Sequence, residues 1–285
     1  MRKHILISIF IIFSKSVCLA QSSTDYSDAE QRLPGFTITK SVEEVENAKI
    51  YISNQLNFSA IEHTPLWDEY IKCWMNLYLR GEKDLNNFVN SFIPAVKKVM
   101  DRFNKTNPET VNHLSSKLIS LLDGYNLGNA AASIAAYAEY GIDVPADSYN
   151  EVAFRILTSS HLKTGATPPP IKGLADNKLS DALLVFYETE CGNCIWQMMQ
   201  LKLEHAQIKE KGIRIISISA NTDKDSFIEE SKDFPWADKL CDFEGMDGEN
   251  FKNYGIISTP TIYLIDKDGK IVNKYDRLDK TGLLN

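Results

Sequence analysis

The 285-residue chain is 44% hydrophobic and 24% charged, with a formal net charge of -7. This is the composition of one or two globular domains, and the lack of a long basic block excludes nucleic acid as a natural partner. Five cysteines in a chain of this length do not make a disulfide scaffold, because a core of this size can supply the stability itself.

Met1 to His4 is a short basic start, Ile5 to Phe13 an apolar core, and SKSVCLA ends at small Ala20 before Gln21. Residues 1–20 therefore read as a signal peptide, too short to span a bilayer. Cleavage after Ala20 would remove Arg2, Lys3, Lys15 and Cys18, leaving a more acidic chain with Cys73, Cys191, Cys194 and Cys241. The expected location is the periplasm, where disulfides persist. An extracellular protein or a lipid anchor on Cys18 are the alternatives, although Lys15-Ser16-Val17-Cys18 departs from a lipobox at both ends. No later segment is apolar enough for a transmembrane span in the mature chain.

Residues 21–40 are expected to form a flexible leader. A helical domain follows over 41–163. Trp67, Tyr70, Ile71, Trp74, Leu77 and Tyr78 recur three and four apart, as on one face of an amphipathic helix, and this aromatic stripe reads as core rather than a ligand cage. Val111, Leu114, Leu118 and Leu121 repeat the pattern after Asn107-Pro108-Glu109, a helix start. Ala130 to Ala138 suits a closely packed helix. Four to six helices are expected. Residues 164–182, with Pro168-Pro169-Pro170, break the pattern and read as a Pro-rich linker and the entry to the next domain.

From 183 to 285 strands and helices alternate. Leu183 to Tyr187 is a buried strand, Cys194 to Lys211 a helix, Ile213 to Ile218 a strand and Asp223 to Lys232 a helix. Thr261 to Ile265 and Lys270 to Tyr275 are strands joined by Asp266-Lys267-Asp268-Gly269, and a short helix lies near Lys280. The order implies a sheet with parallel and antiparallel parts.

Cys191-Gly192-Asn193-Cys194 stands between the first strand and its helix, and Thr259-Pro260 stands just before a later strand. Taken alone, the cysteine pair could be a redox disulfide, half of a metal site or an inert staple. Strand, Cys-x-x-Cys, helix and Thr-Pro together resemble the thioredoxin superfamily. TPTIYLIDKDGKIV is similar to the ending of its exported TlpA-like and AhpC/TSA-like branch, and the helical half resembles the unassigned helical domain that precedes some secreted thioredoxin-like domains. The resemblance implies a C-terminal α/β thioredoxin-like fold after an all-α domain, and a cis Thr259-Pro260 bond that faces the sulfurs and docks a substrate strand.

The chemistry also follows from the residues. A thiolate is the attacking species in disulfide exchange, and Cys191 at a helix N-terminus meets unpaired amides and the positive end of the helix dipole. Cys194, one turn on, can resolve the mixed disulfide. The expected activity is thiol-disulfide exchange with protein thiols and disulfides. No bound cofactor is expected, and electrons come from an upstream dithiol donor.

Gly192, Asn193, Glu190 and Gln197 are expected to tune the site. Thioredoxin has Gly-Pro between its cysteines, whereas strong oxidants carry a histidine there; Gly192-Asn193 lacks it, which favours the reductase direction. Val185 replaces thioredoxin's buried acid six residues before the first cysteine. Gln197 replaces the glutamate of cytochrome c maturation reductases and cannot take a proton. The tryptophan usual before the first cysteine is Glu190, which with Glu188 makes an acidic rim.

A peroxidase frame, Pro-x-x-x-Thr/Ser-x-x-Cys, is missing, since Leu184 and Glu188 hold its first two positions. Cys73 and Cys241 read as buried fillers. No metal site is expected, because scattered His63, His113, His161 and His205 offer no second close ligand pair. The alternative function is a binding or dimerisation module in the helical domain, with the thioredoxin-like domain as a redox-inactive holder.

Overall fold

A computed structural model describes residues 23–38, 41–176 and 178–284. The expected signal peptide and Cys18 lie outside the described residues. The chain divides into two units, the first ending at Tyr149 and the second starting at Asn150.

The first unit is helical. Residues 23–37 form α1, so the leader expected at 21–40 is in large part ordered. Its Ala29 and Leu33 are buried, and the Tyr70 hydroxyl donates to the Ala29 carbonyl at 2.7 Å; two apolar contacts in a polar stretch gave no clear period to read. The unit continues with α2 (Val42–Asn54), α3 (Phe58–Ile61), α4 (Pro65–Leu79), α5 (Leu85–Asn104), α6 (Pro108–Gly124) and α7 (Gly128–Tyr140). Local chemistry sets several boundaries. Ser41 and Glu44 close a capping box on α2, and Asn107 caps α6 just before Pro108; such caps contribute about 0.5–2 kcal/mol each.

Tyr70, Ile71 and Trp74 of α4 are fully buried. Trp74 packs on Phe92 and Phe58 at ring-centroid distances of 5.1 and 5.8 Å, so the aromatic stripe is core. Each fully buried side chain of this kind contributes roughly 1.5–3 kcal/mol. Ala130 to Ala136 of α7 are buried throughout.

The second unit begins with α8 (Glu151–His161) and holds β1 (Ala182–Tyr187), α9 (Gly192–Glu210), β2 (Arg214–Ser219), α10 (Lys224–Ser231), β3 (Asp238–Cys241), α11 (Glu249–Asn253), β4 (Thr261–Ile265) and β5 (Ile271–Tyr275). The strand order is β3-β2-β1-β4-β5. β1, β2 and β3 run parallel, while β4 is antiparallel to both β1 and β5. β1 is buried on both faces. Leu184 and Phe186 enter one core layer, and Leu183, Val185 and Tyr187 enter the other, as a period of two requires.

Two features of this unit differ from expectation. The unit boundary falls before α8, not at 163, and the segment expected as linker and domain entry packs into the unit. Ile171 is fully buried, Tyr254 Oη donates to the Pro169 carbonyl at 2.7 Å, and Asn250 brackets the backbone of Lys172. Arg155 of α8 donates to the carbonyls of Met246 and Ile256. Gly255 has a φ of +57°, and a Cβ there would stand 2.2 Å from the Arg155 carbonyl oxygen; only glycine permits this approach. β3 and α11 were not foreseen: β3 is a four-residue edge strand, half-buried throughout, without the alternation that marks a strand.

Candidate functional site

β1 ends at Tyr187, and four residues later Cys191 caps α9. Its sulfur accepts from the Cys194 amide at 3.3 Å. The register pairs Phe186 of β1 with Thr261 of β4, so the segment entering β4 lies at the edge where α9 starts. There the Thr259-Pro260 bond is cis, and the Cys191 thiol donates to the Thr259 carbonyl at 3.6 Å. Residues 68 apart in sequence thus meet through strand register.

The two sulfurs differ in environment. Cys191 is partly exposed, whereas Cys194 is fully buried. Burial, the largest single influence on Cys191, opposes its ionisation. Together, hydrogen bonds from the Cys194 thiol, the Cys194 and Asn193 amides and the Thr259 side chain outweigh it and hold the thiol below its ordinary pKa. Burial pushes Cys194 up to about 12, and its bond to Cys191 adds to the rise. The arrangement favours a thiolate at Cys191 beside a protonated thiol at Cys194.

The expected tuning residues take different places. Glu190 is exposed. Gly192 is also exposed, and a Cβ there would meet nothing within 4 Å. Asn193 contributes its amide to Cys191. Gln197 is buried, and its Oε1 accepts from the Leu278 amide at 2.7 Å, which anchors the chain after β5. A cleft of about 410 Å³ opens beside the sulfurs, lined by Asn193, Trp196, Gln197, Thr259, Pro260 and Arg277 among others.

Glu188 was seen only as part of an acidic rim. Its Oε1 accepts from the Thr259 hydroxyl at 2.5 Å, tying the two halves of the site together. No local signal marks a partner 71 residues away. Cys73 is buried as expected, and burial takes its thiol up to about 11; Cys241, expected to be buried, is only half-buried on the edge strand β3, where it donates to the Asn221 carbonyl at 3.2 Å with its pKa raised mainly by burial. A larger cleft, about 560 Å³, lies in the helical unit. Its Lys97 is already bonded to Ser133 and Asp143, and no cysteine, serine or histidine is among its lining residues.

The family model described as AhpC/TSA matches residues 171–274. Thiol-disulfide oxidoreductase ResA of Bacillus thuringiensis subsp. konkukian and that of Bacillus cereus are each 37% identical over 101 residues. The match covers 35% of this chain and 57% of each relative, so the chain spans little more than half the length of these curated proteins. Among solved structures, the thioredoxin domain of a thiol-disulfide oxidoreductase from Bacteroides vulgatus is 28% identical, with 41% of this chain and 91% of that one covered at a TM-score of 0.36. A thioredoxin-like protein from Bacteroides caccae is 17% identical, with 87% and 93% covered at a TM-score of 0.40. The family match falls on the stretch that builds the five-stranded sheet and carries both sulfurs, and this C-terminal domain is thioredoxin-like, similar to the AhpC/TSA family and to the ResA thiol-disulfide oxidoreductases.

Proposed function

We propose that the chain is an exported thiol-disulfide oxidoreductase that reduces disulfides in other proteins through Cys191 and Cys194. The observation that carries this reading is the asymmetry of the pair: a partly exposed Cys191 held toward the thiolate, beside a buried, protonated Cys194. The Cys191 thiolate attacks one sulfur of a substrate disulfide. That S–S bond breaks, a mixed disulfide forms, and the first substrate sulfur leaves as a thiolate. Cys194 then gives up its proton and attacks the Cys191 sulfur, releasing the second substrate sulfur. Two electrons have passed to the substrate, and the Cys191–Cys194 disulfide is left to be reduced by an upstream dithiol.

The Thr259 backbone beside Cys191 is where an extended substrate segment pairs, as an added strand does. Glu188 holds Thr259 for that role. Ile195, Trp196 and Met199 stay exposed on α9 next to the sulfurs and give the substrate's flanking residues an apolar surface. The missing histidine between the cysteines supports the reductase direction. Residues 1–20 and the acidic charge support export to the periplasm.

The test is a redox titration of the mature chain in glutathione or dithiothreitol buffers, with mass-tagged alkylation reporting Cys191 and Cys194. A potential of roughly -270 to -200 mV is expected, the range of thioredoxin and glutaredoxins. A potential near about -120 mV, that of a strong oxidant, overturns the reductase direction. Failure to form a reversible disulfide overturns the proposal.

A further inference from the structure

Far from the cysteines in sequence, the helical unit brings together three groups with metal-binding chemistry. Glu62 follows α3 directly and His63 comes next. His113 lies in the second turn of α6. One ligand atom from each of the three lies within 4.8 Å of the other two, and the imidazole rings of His63 and His113 meet edge to face, with centroids 5.1 Å apart.

The carboxylate is not a loose surface group. The Glu62 side chain is 8% exposed. Its Oε2 accepts from the Thr110 hydroxyl at 2.5 Å, and its Oε1 is bonded to His113 Nδ1. Thr110, fully buried, pairs with Ser59 at 2.9 Å, and Ser59 accepts from the Asn107 amide group at 3.0 Å. A chain of hydrogen bonds through α6 and α3 therefore fixes the carboxylate. Outer-shell bonds of this kind orient the ligands of protein metal sites.

His63 needs a separate account. Its φ is +62°, uncommon for a residue with a side chain. The turn holding it is closed by Thr64, whose amide and hydroxyl both donate to the Ile61 carbonyl, at 3.1 and 2.6 Å. A Glu62–His113 hydrogen bond accounts for two of the three groups. It gives no reason for a second imidazole held against the first.

We propose that Glu62, His63 and His113 form a binding site for a divalent transition metal of the zinc class. Two imidazoles and one carboxylate are a known three-ligand zinc set, which leaves a fourth position for water or a small ligand. Bonds of about 2.0–2.2 Å in a tetrahedron put ligand atoms roughly 3.4 Å apart. The ligand atoms lie within 4.8 Å of one another, so reaching that spacing needs rotation of the exposed His63 and the partly exposed His113, while the Thr110 hydroxyl holds Glu62. The imidazoles select against magnesium, which takes oxygen ligands. The site is separate from the sulfur chemistry.

The test uses the full mature chain, free of affinity tags and carrying Cys191→Ser and Cys194→Ser, so that the reactive thiols cannot capture the probe. Calorimetric titration with zinc chloride is expected to show one saturable equivalent, which magnesium chloride does not displace. H63A and H113A should each weaken binding at least tenfold, since even outer-shell changes in metal sites cost about 10–100-fold. His63 is exposed, so H63A is expected to keep the parent circular dichroism spectrum. Cobalt bound at the same site should give visible d–d bands without an intense near-ultraviolet thiolate band. No saturable zinc binding, zinc binding that H63A leaves unchanged, or a strong thiolate band each overturn the proposal.

Discussion

α4 in the helical unit and α9 in the C-terminal unit both carry apolar residues at helical spacing, and the two units use them differently. α4 turns Tyr70, Ile71, Trp74 and Leu77 inward, and none is more than 2% exposed. α9 buries Met198 and Leu201, yet leaves Ile195, Trp196 and Met199 43–55% exposed, and a sulfur caps its first turn. A stripe that is wholly covered stabilises its own unit. An uncovered stripe beside a reactive group is available to something else. The contrast separates residues that make the fold from residues that use it.

Substitution of the sulfurs should separate the units most sharply. Cys191→Ser is expected to bring disulfide exchange down to the uncatalysed background in an insulin-reduction assay. Cys194→Ser should leave Cys191 able to attack but unable to release, so mixed disulfides with substrate proteins accumulate on non-reducing gels. Full activity in C191S would move the chemistry elsewhere in the molecule.

The tryptophans give the next largest difference. Trp74→Ala should cost about 3–5 kcal/mol of stability in urea denaturation, as for other fully buried aromatic side chains. Trp196→Ala should stay within about 0.5 kcal/mol of the parent, while slowing exchange with protein disulfides more than with oxidised glutathione. Equal losses with both substrates would remove the docking role of the exposed face.

Gly255→Ala tests the approach of α8 to the loop after α11. The added methyl meets the backbone of Arg155, and overpacking of this kind costs about 1–3 kcal/mol. An unchanged denaturation midpoint would show that this contact yields without cost.

The smallest effect is on pH dependence. Iodoacetamide should react with Cys191 along a profile centred below the ordinary thiol range, because hydrogen bonds favour its thiolate. Cys194→Ala removes the thiol that donates to Cys191, which disfavours the thiolate, so the profile should move to higher pH. A shift to lower pH would mean that Cys194 acts on Cys191 chiefly through burial.

Most of the helical unit was legible because amphipathic periodicity is a local property: the α4 stripe, the Asn107-Pro108 start of α6 and the alanine run of α7 stand as read. α1, β3 and α11 were not, since each lacks either length or a clean period. The pair Cys191 and Cys194, proposed as the redox site, was legible for a similar reason. Its two sulfurs are three residues apart, and the apolar run before them forms a strand. Glu188's bond to Thr259 was invisible, because it depends on the register of β1 against β4. His63 and His113 read as scattered, yet α3 and α6 place their rings 5.1 Å apart.

By itself the sequence located the buried strand over 183–187, the helix that follows it and the cysteine pair on which the proposed function rests, because all three follow from spacing within a few residues. Tertiary structure alone decided that Glu188 bonds Thr259, that α8 packs with the sheet, and that one carboxylate and two imidazoles share a corner of the helical unit. Each of these depends on strand register or helix packing between residues tens of positions apart, and no local pattern in the chain records such a distance.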